Sequence, residues 1–215
     1  MNEELQISEL FTSIQGESLR AGTGCYFIRL SGCNLRCRYC DTGYAAGGAS
    51  RRMTVRELVA AASAVRVPLI ELTGGEPLLQ PATPALLRAL LGIPERTVLV
   101  ETNGSLDISA IPDGAVAIVD VKCPDSGAAD SFDPGNLGRL RPYDELKFVI
   151  GGRRDYEWAR AFIAAQAPVV RRVAAVHFSP VGGAGFEASA LAGWIVEDGL
   201  PVRLQLQLHR LLDMR

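Results

Sequence analysis

The chain has 215 residues and a formal net charge of −2, and 48% of its residues are hydrophobic. That length suits one domain with a full core, which we predict over residues 1–215, with residues 1–25 as an N-terminal extension. No basic tract suits a nucleic acid, and no apolar stretch is long enough for a membrane. The acidic N-terminus lacks a secretory pattern, which favours a cytoplasmic protein. Five cysteines, three of them within eight residues, indicate metal binding rather than disulfides.

Short apolar runs alternate with helix-like stretches along the chain. A capping box from Thr54 to Glu57 begins one predicted helix, and Thr83 is the predicted N-cap of the next. In chain order we predict a strand near 7–12, a strand at 26–31, a helix at 54–65, a strand at 69–73, a helix at 84–91, strands at 98–101, 116–121 and 145–150, a helix at 155–166, a strand at 173–179, a helix at 187–198 and a strand at 202–208.

This alternation predicts right-handed βαβ units and a mostly parallel sheet. Two connections, 104–115 and 124–144, are rich in Gly, Pro, Asp and Ser, and neither has the pattern of a long helix. A complete eight-fold barrel usually needs about 250 residues. We therefore predict an α/β fold, a partial TIM-like barrel that stays open and has some degenerate crossover helices. Its open sheet edges favour a homodimer, because a second chain can cover them.

Cys33, Cys37 and Cys40 have the spacing C-x3-C-x2-C, with Tyr39 just before the last cysteine. Iron–sulfur clusters are held by cysteine thiolates, normally four per cubane. Because no local fourth ligand is present, we predict a [4Fe-4S] cluster with one open iron that can bind a cofactor or substrate directly. The alternative is a structural zinc site, but zinc requires tetrahedral closure by four ligands and only one cysteine knuckle is present.

Unusual residues follow several predicted strands, most clearly Gly74-Gly75-Glu76-Pro77. Two glycines let a backbone approach a ligand closely, and Glu76 can accept a hydrogen bond from an ammonium group. Ligands of parallel α/β sheets bind beyond the carboxyl ends of the strands. We therefore predict one large site at this edge, with an amino-acid-like ligand next to the cysteine loop.

Three cations lie on strands that are predicted to face this site. Strand alternation places Phe27, Arg29 and Ser31 on the face that leads to the cysteine loop. A cation there needs an anionic partner, because an unpaired buried charge is strongly destabilising. Lys122 and Lys147 need partners for the same reason, although the sequence does not decide which of them reaches the site.

The cysteine spacing, the tyrosine within it and the Gly-Gly-Glu-Pro edge resemble the radical S-adenosylmethionine (SAM) superfamily. The resemblance implies that the open iron chelates the amino and carboxylate groups of SAM. One electron from the reduced cluster, supplied by a donor such as flavodoxin, would then break a carbon–sulfur bond to give a 5′-deoxyadenosyl radical. The implied SAM-contacting residues are Tyr39, Gly74, Gly75, Glu76, Thr102, Asn103, Cys123, Pro124 and Asp125.

From about residue 10 to residue 209 the chain resembles the 7-carboxy-7-deazaguanine synthases (QueE) of queuosine and deazapurine biosynthesis. The resemblance is carried by Ser13-Ile14-Gln15-Gly16-Glu17, Arg29, Cys40-Asp41-Thr42 and Glu101-Thr102-Asn103-Gly104. It implies a carbon–nitrogen lyase that converts 6-carboxy-5,6,7,8-tetrahydropterin to 7-carboxy-7-deazaguanine with loss of ammonia. Abstraction of hydrogen from C6 of the pterin would precede ring contraction. The family also uses Mg2+.

The same resemblance implies roles for individual residues. The pterin would be bound by Ile14, Gln15, Gly16, Glu17, Arg29 and Thr73. Arg29 would pair with the pterin carboxylate through its planar fork of donors. Thr42 would offer a hydroxyl to Mg2+, a hard ion that prefers oxygen ligands. From their positions, on an inward-facing strand and at the ligand-binding edge, we also predict Lys122 and His209 as the catalytic residues.

Two other functions stay open on the sequence alone. Asp120-Val121-Lys122 also resembles glycyl-radical-enzyme activating proteins, which act on a protein rather than on a pterin. A non-catalytic iron–sulfur or zinc binding protein is the alternative from another class, although it has no use for the Gly-Gly-Glu-Pro edge. His177, in the middle of a predicted strand, is predicted to be structural.

Overall fold

Strands and helices alternate along the computed structural model, which describes residues 3–182 and 188–214. The strands are β1 (Glu4–Ile14), β2 (Gly24–Leu30), β3 (Arg51–Thr54), β4 (Leu69–Gly74), β5 (Thr97–Thr102), β6 (Val116–Asp120), β7 (Glu145–Ile150), β8 (Ala175–Pro180) and β9 (Arg203–Leu204). The α-helices are α1 (Val55–Ala64), α2 (Thr83–Leu91), α3 (Asn136–Arg139), α4 (Arg153–Ala165), α5 (Ala167–Val170), α6 (Ala188–Glu197) and α7 (Leu208–Leu211).

The described residues contribute nine strands to a single sheet, in the order β3-β1-β2-β4-β5-β6-β7-β8-β9. β1 runs antiparallel to β2 and β3, and every other neighbouring pair is parallel. In this part of the chain the outer strands β3 and β9 do not pair, so the sheet is an open, partial barrel, as predicted. The parallel order brings the carboxyl ends of β2 and of β4 to β8 to one edge.

The helices pack on the outer face of the sheet because their apolar residues recur at helical spacing. At the start of α1, Thr54 Oγ1 accepts from Glu57 N, and the Glu57 carboxylate accepts from Thr54 N at 2.7 Å. This is the predicted capping box, which typically stabilises a helix by about 1 kcal/mol. The helix buries Leu58 and Ala62 in the main core. The connection 104–115 contains one short 3-10 turn, and the connection 124–144 contains two such turns and the four-residue α3, so neither has a long helix, as predicted.

Alternation along the strands divides the barrel interior into two layers. Near the amino ends lies a small apolar layer made of Phe11, Cys25, Phe27, Leu69, Leu99, Val116 and Ile118. Two residues further along the same faces come Glu71, Glu101 and Asp120. The period of two in a strand therefore places the charged residues directly above the apolar layer, next to the edge at which ligands bind.

Three local predictions differ from the structure. The last strand is limited to Arg203–Leu204, because the chain then turns into α7 instead of continuing along β8. Thr83 is not an N-cap: it is the first residue of α2, and its hydroxyl donates to the Pro77 carbonyl at 2.5 Å. β3, which was not predicted, pairs with the start of β1. Residue 187, the predicted start of the helix at 187–198, lies outside the described residues.

Among the described residues, no helix is both long enough and apolar enough to cross a membrane.

Candidate active site

A cavity of about 480 Å³ lies at the carboxyl edge of the sheet, and the loop after β2 forms one of its walls. Cys33, Cys37 and Cys40 all line this cavity. Cys25 and Cys123 are buried elsewhere, the first in the interior apolar layer and the second in the main core. Within residues 3–182 and 188–214, no three His, Cys, Asp or Glu side chains stand at metal-ligand spacing. The three loop cysteines therefore share a wall without forming a closed metal cage.

The two glycines after β4 allow this strand to pack directly against the cysteine loop. Gly74 has a φ of +137°, and a Cβ atom there would lie 2.2 Å from the Leu30 carbonyl oxygen. A Cβ atom on Gly75 would lie 2.0 Å from the Gly32 oxygen and 2.8 Å from Cys33 Cβ. No side chain fits at either position, so glycine is required for the cavity edge to have this shape.

Glu76 is fully buried and lies behind this edge rather than on the cavity wall. Its carboxylate accepts hydrogen bonds from Leu78 N at 2.9 Å, Thr102 Oγ1 at 2.8 Å and Asn103 N at 2.7 Å. Burial raises the pKa of Glu76, although these hydrogen bonds act in the opposite direction. Because Thr102 and Asn103 do line the cavity, Glu76 fixes both of these predicted SAM contacts from behind.

The Lys147 ammonium joins carboxylates on the cavity floor. Its Nζ atom lies 2.5 Å from Glu17 Oε2, 2.5 Å from Glu101 Oε1 and 4.0 Å from Asp120 Oδ2. Burial disfavours the charged ammonium, but the carboxylates outweigh burial and hold the pKa of Lys147 well above its ordinary value. For Glu101, burial opposes ionisation, but the same ammonium lowers the pKa of the carboxyl. Lys147 thus stays charged and ties the loop after β1 to β5.

Glu71 is a buried acid beside this ion-pair network. Gln15 Nε2 donates to Glu71 Oε2, and Gln15 Oε1 accepts from Glu17 N at 2.9 Å. Burial, followed by the negative charges of Glu101 and Glu17, raises the pKa of Glu71 well above its ordinary value. Both ends of the Gln15 amide are therefore engaged within the protein, where they hold the loop after β1 against β4.

Lys122 also faces the cavity, so both lysines that the sequence left undecided reach the site. Its Nζ atom lies 2.7 Å from Asp120 Oδ2. Burial would lower the pKa of Lys122, but Asp120 outweighs it and raises the pKa, so Lys122 is a fixed cation at neutral pH. Among the described residues, Asp120 Oδ1 is buried without a hydrogen-bond partner. Burial also raises the pKa of the nearby Cys37 thiol.

Arg29 already has an anionic partner within the chain. Its Nε atom lies 3.1 Å from Glu9 Oε2, and its guanidinium carbon lies 5.6 Å from the centre of the Phe11 ring. Antiparallel pairing of β1 with β2 places Glu9 opposite Arg29. The expected partner of this cation is therefore supplied by the N-terminal strand, and Arg29 still lines the cavity.

The C-terminal segment covers the loop after β1. Gln207 Nε2 donates to Glu17 Oε1 at 3.0 Å, and Leu208 N donates to the Gly16 carbonyl at 3.1 Å. A Cβ atom on Gly16 would lie 2.0 Å from His209 Nδ1, so this glycine makes room for the imidazole. Burial lowers the pKa of His209, which favours the neutral ring at the cavity wall.

Most predicted site residues line the cavity. They are Ile14, Gln15, Gly16, Glu17, Arg29, Cys33, Cys37, Tyr39, Cys40, Thr42, Thr73, Gly74, Gly75, Thr102, Asn103, Lys122 and His209. The predicted residues that do not line it are Glu76, Cys123, Pro124 and Asp125. The turn formed by the last three packs on α4: Asp125 N donates to Asp155 Oδ1 at 2.8 Å, and the Asp125 carboxylate pairs with Arg154. It also borders the cysteine loop, because the Ser126 carbonyl accepts from Arg38 N at 2.9 Å.

Sequence reasoning assigned no role to Glu71, Glu101, Asp120 and Gln207, all of which line the cavity; Glu101 and Asp120 were noted only as parts of motifs. The first three had a usable signal, because each is an acid at an inward-facing position of an otherwise apolar strand. Gln207 had none. His177, which was predicted to be structural, is buried outside the cavity lining, with Nε2 2.7 Å from Glu145 Oε2.

Comparison with known proteins agrees with this geometry. Residues 27–121 match the family model of the radical SAM superfamily. The chain is 41% identical to a 7-carboxy-7-deazaguanine synthase of Koribacter versatilis, covering 97% of this chain and 96% of the relative. It is 43% identical to that of Chlorobaculum tepidum, covering 96% and 93%. QueE from Escherichia coli has the same fold, with a TM-score of 0.78, 20% identity, and coverage of 95% and 94%.

Proposed function

Because the chain belongs to the 7-carboxy-7-deazaguanine synthase family, within the radical SAM superfamily, we propose that it converts 6-carboxy-5,6,7,8-tetrahydropterin to 7-carboxy-7-deazaguanine with loss of ammonia. This is a carbon–nitrogen lyase reaction of queuosine biosynthesis. The observation that carries the proposal is identity above 40% over nearly the whole length of two synthases. Membership of this enzyme family does not support either alternative, the glycyl-radical-enzyme activating protein or the non-catalytic metal-binding protein.

The residues at the cavity fit the cofactors that the superfamily implies, a [4Fe-4S] cluster and SAM. Cys33, Cys37 and Cys40 offer three thiols on one wall, and thiolates are the ligands such clusters require. The side-chain-free edge at Gly74 and Gly75 lies against the same loop and lets a ligand approach backbone groups. When bound, these cofactors supply the abstraction of a hydrogen atom from the substrate.

The chain's own residues would bind and orient the pterin. Arg29 would pair with its carboxylate, because the two terminal nitrogens of a guanidinium match two carboxylate oxygens. The ion-paired floor of Glu17, Glu101 and Lys147 offers charges that are already held in place by their mutual contacts. Fixed groups of this kind stabilise changing charge without the cost of reorganisation. Thr73, which donates to Glu101, would complete this surface.

Lys122 and His209 would act differently from one another. Asp120 holds Lys122 in the charged form, so Lys122 would stabilise negative charge and would not accept a proton. His209 has a lowered pKa, so its neutral ring can accept a proton or a hydrogen bond at the opposite wall. The leaving amine needs a proton before it departs as ammonia. His209, once it has taken up a proton, would supply that proton, while Lys122 would stay charged beside Asp120.

We propose three further features, of which the first two rest on the resemblance and the homodimer rests on the open sheet edges. Thr42 would offer its hydroxyl to Mg2+, and Thr42 Oγ1 lies 3.8 Å from Cys40 Sγ at the cavity wall. A one-electron donor such as flavodoxin would reduce the cluster, and the enzyme would work as a homodimer. We also treat residues 1–215 as one radical SAM domain, in which residues 1–25 carry substrate contacts. A cytoplasmic location stays a prediction.

The deciding experiment is an anaerobic assay of the reconstituted protein with SAM, dithionite, Mg2+ and the carboxypterin. We expect 7-carboxy-7-deazaguanine by mass spectrometry, together with ammonia. Omission of SAM or of the reductant should abolish both products. Cleavage of SAM without any deazaguanine would leave a radical SAM enzyme with a different substrate and would reject the proposal.

A further inference from the structure

The loop between β1 and β2, residues 15–23, crosses the barrel interior; we refer to it as the strap. Its base is closed by two backbone hydrogen bonds, Gln15 N to the Thr23 oxygen at 2.7 Å and Gly22 N to the Gln15 oxygen at 2.8 Å. The strap carries Gln15, Gly16 and Glu17, all of which line the cavity. β1 and β2 themselves belong to one side of the open sheet, so the strap reaches across to β7, β8 and β9 on the other.

The tip of the strap is held by two side chains from that opposite side. Ser18 N donates to Gln205 Oε1 at 2.7 Å, and Leu19 N donates to Glu145 Oε2 at 3.0 Å. Ser18 has a φ of +64°, a left-handed conformation that a residue other than glycine adopts only when its surroundings hold it. Consecutive backbone amides of a strained turn are therefore fixed by two buried acceptors.

Glu145 is itself positioned by a third buried residue. His177 Nε2 lies 2.7 Å from Glu145 Oε2, and Arg20 Nη1 of the strap lies 3.7 Å from Glu145 Oε1. Glu145, His177 and Gln205 are all less than one-tenth exposed, and none of them lines the cavity. Ordinary core packing does not require this arrangement, because an apolar residue at the amino end of β7 would match the apolar layer formed by its neighbours.

We propose that Glu145, supported by His177, and Gln205 are positioning residues for substrate binding, and that they act by anchoring the strap. Anchoring the tip fixes the conformation of the strap, and hence the position of Glu17 relative to Lys147 and of Gly16 relative to His209. At the tip of the strap, the described residues give Ser18 N and Leu19 N no backbone acceptor, so side-chain acceptors take over that task. The proposal rests on the carboxypterin as substrate, as argued above.

The direct test needs no substrate. It measures the rate of amide hydrogen–deuterium exchange of residues 15–23 in the cluster-reconstituted full chain. Gln205→Met keeps the length of the side chain and removes the acceptor for Ser18, and Glu145→Met removes the acceptor for Leu19. Loss of one such hydrogen bond should speed exchange of its amide about tenfold. Glu145→Gln keeps an acceptor and should behave like the parent. Trypsin should also cut after Arg20 faster in both Met variants.

The second arm is kinetic. Each Met variant should raise KM for the carboxypterin about tenfold, with kcat changed less than about threefold and uncoupled SAM cleavage unchanged. Tyr156→Phe is the control: it removes buried hydrogen bonds from α4 to Trp194 and Asp198 and does not touch the strap. If Glu145→Met does not fold, Gln205→Met alone decides, because Gln205 Nε2 has no partner among the described residues and its loss costs little.

Unchanged exchange at residues 15–23 in Gln205→Met would overturn the anchoring. Faster exchange with an unchanged KM would overturn the role in substrate binding. If the parent does not convert the carboxypterin at all, the proposed function fails. The exchange data would still show whether Glu145 and Gln205 anchor the strap.

Discussion

Arg29 and Glu9 face each other across β1 and β2, with Arg29 Nε 3.1 Å from Glu9 Oε2. Both side chains are partly accessible, at 14% and 18%. A cation held in this way keeps its position before substrate arrives. It also means that an incoming substrate carboxylate would share Arg29 with Glu9, instead of neutralising an unpaired charge.

We expect Arg29→Met to weaken carboxypterin binding about ten- to hundredfold, because a hydrogen bond to a charged group contributes about 1.5–3 kcal/mol. Cluster content and uncoupled SAM cleavage should be retained. Binding is measured by anaerobic titration of the substrate. Glu9→Gln is the matched control: it removes the competing charge and should leave binding equal or tighter. Parent-like binding by Arg29→Met would mean that Arg29 does not recognise the carboxylate.

Replacement of Cys33, Cys37 or Cys40 by Ala should abolish assembly of the cluster, because each thiol would supply one iron ligand. Cys25→Ala and Cys123→Ala should keep it, since both side chains are buried away from the cavity. Iron and sulfide analysis of anaerobic preparations measures this. Iron loss in Cys123→Ala would identify Cys123 as a fourth cluster ligand and would contradict the prediction of an open iron.

Gly75→Ala should reduce cluster content and SAM binding. Its methyl group would lie 2.0 Å from the Gly32 oxygen, so the cysteine loop must move. Gly193→Ala on α6 is the control, because a Cβ atom there meets no other atom within 4 Å. Iron content and equilibrium binding of SAM are the measurements. Equal values for the two variants would show that the edge tolerates a side chain.

Thr42→Ala should shift the Mg2+ dependence of turnover to higher concentration, because it removes an oxygen that the ion would use. Thr42→Ser retains the hydroxyl and should titrate like the parent. The measurement is initial rate against added Mg2+. Superimposable curves for Thr42→Ala and Thr42→Ser would assign Thr42 to the structure of the turn instead.

Glu71 should make the substrate-free protein less stable as pH rises. Its pKa is raised by burial, so the folded state binds the proton more tightly than the unfolded chain, whose carboxyl titrates near 4.5. Stability therefore falls from about pH 4.5 up to the folded-state pKa, with a limiting slope of about 1.4 kcal/mol per pH unit for one proton. Glu71→Gln should remove this fall and be more stable than the parent at pH 8.

Denaturant unfolding of both proteins at pH 4.5 and pH 8 tests this difference. The difference in unfolding free energy between Glu71→Gln and the parent should be larger at pH 8 and nearly absent at pH 4.5. A difference of the same size at both pH values would mean that the pKa of Glu71 is not raised in the folded protein.

The sequence by itself determined the alternation of the elements, the open α/β fold and most of the residues at the carboxyl edge. These follow from local patterns: the period of apolar residues, the capping box at Thr54, and the spacing of three cysteines. The Gly74-Gly75 pair was also readable, because only glycine allows such close backbone contact.

Only the tertiary structure decided which charges meet. Glu9 and Arg29, Glu17 and Lys147, and the anchors of the strap at residues 15–23 are separated by about 20 to 190 positions in the chain. Such pairs depend on the strand register and on the distance between the two sides of the open barrel. No local sequence pattern encodes either of them. The turn from 123 to 125 is not part of the cavity lining for the same reason, because its packing on α4 is a long-range contact that its position after a strand does not reveal.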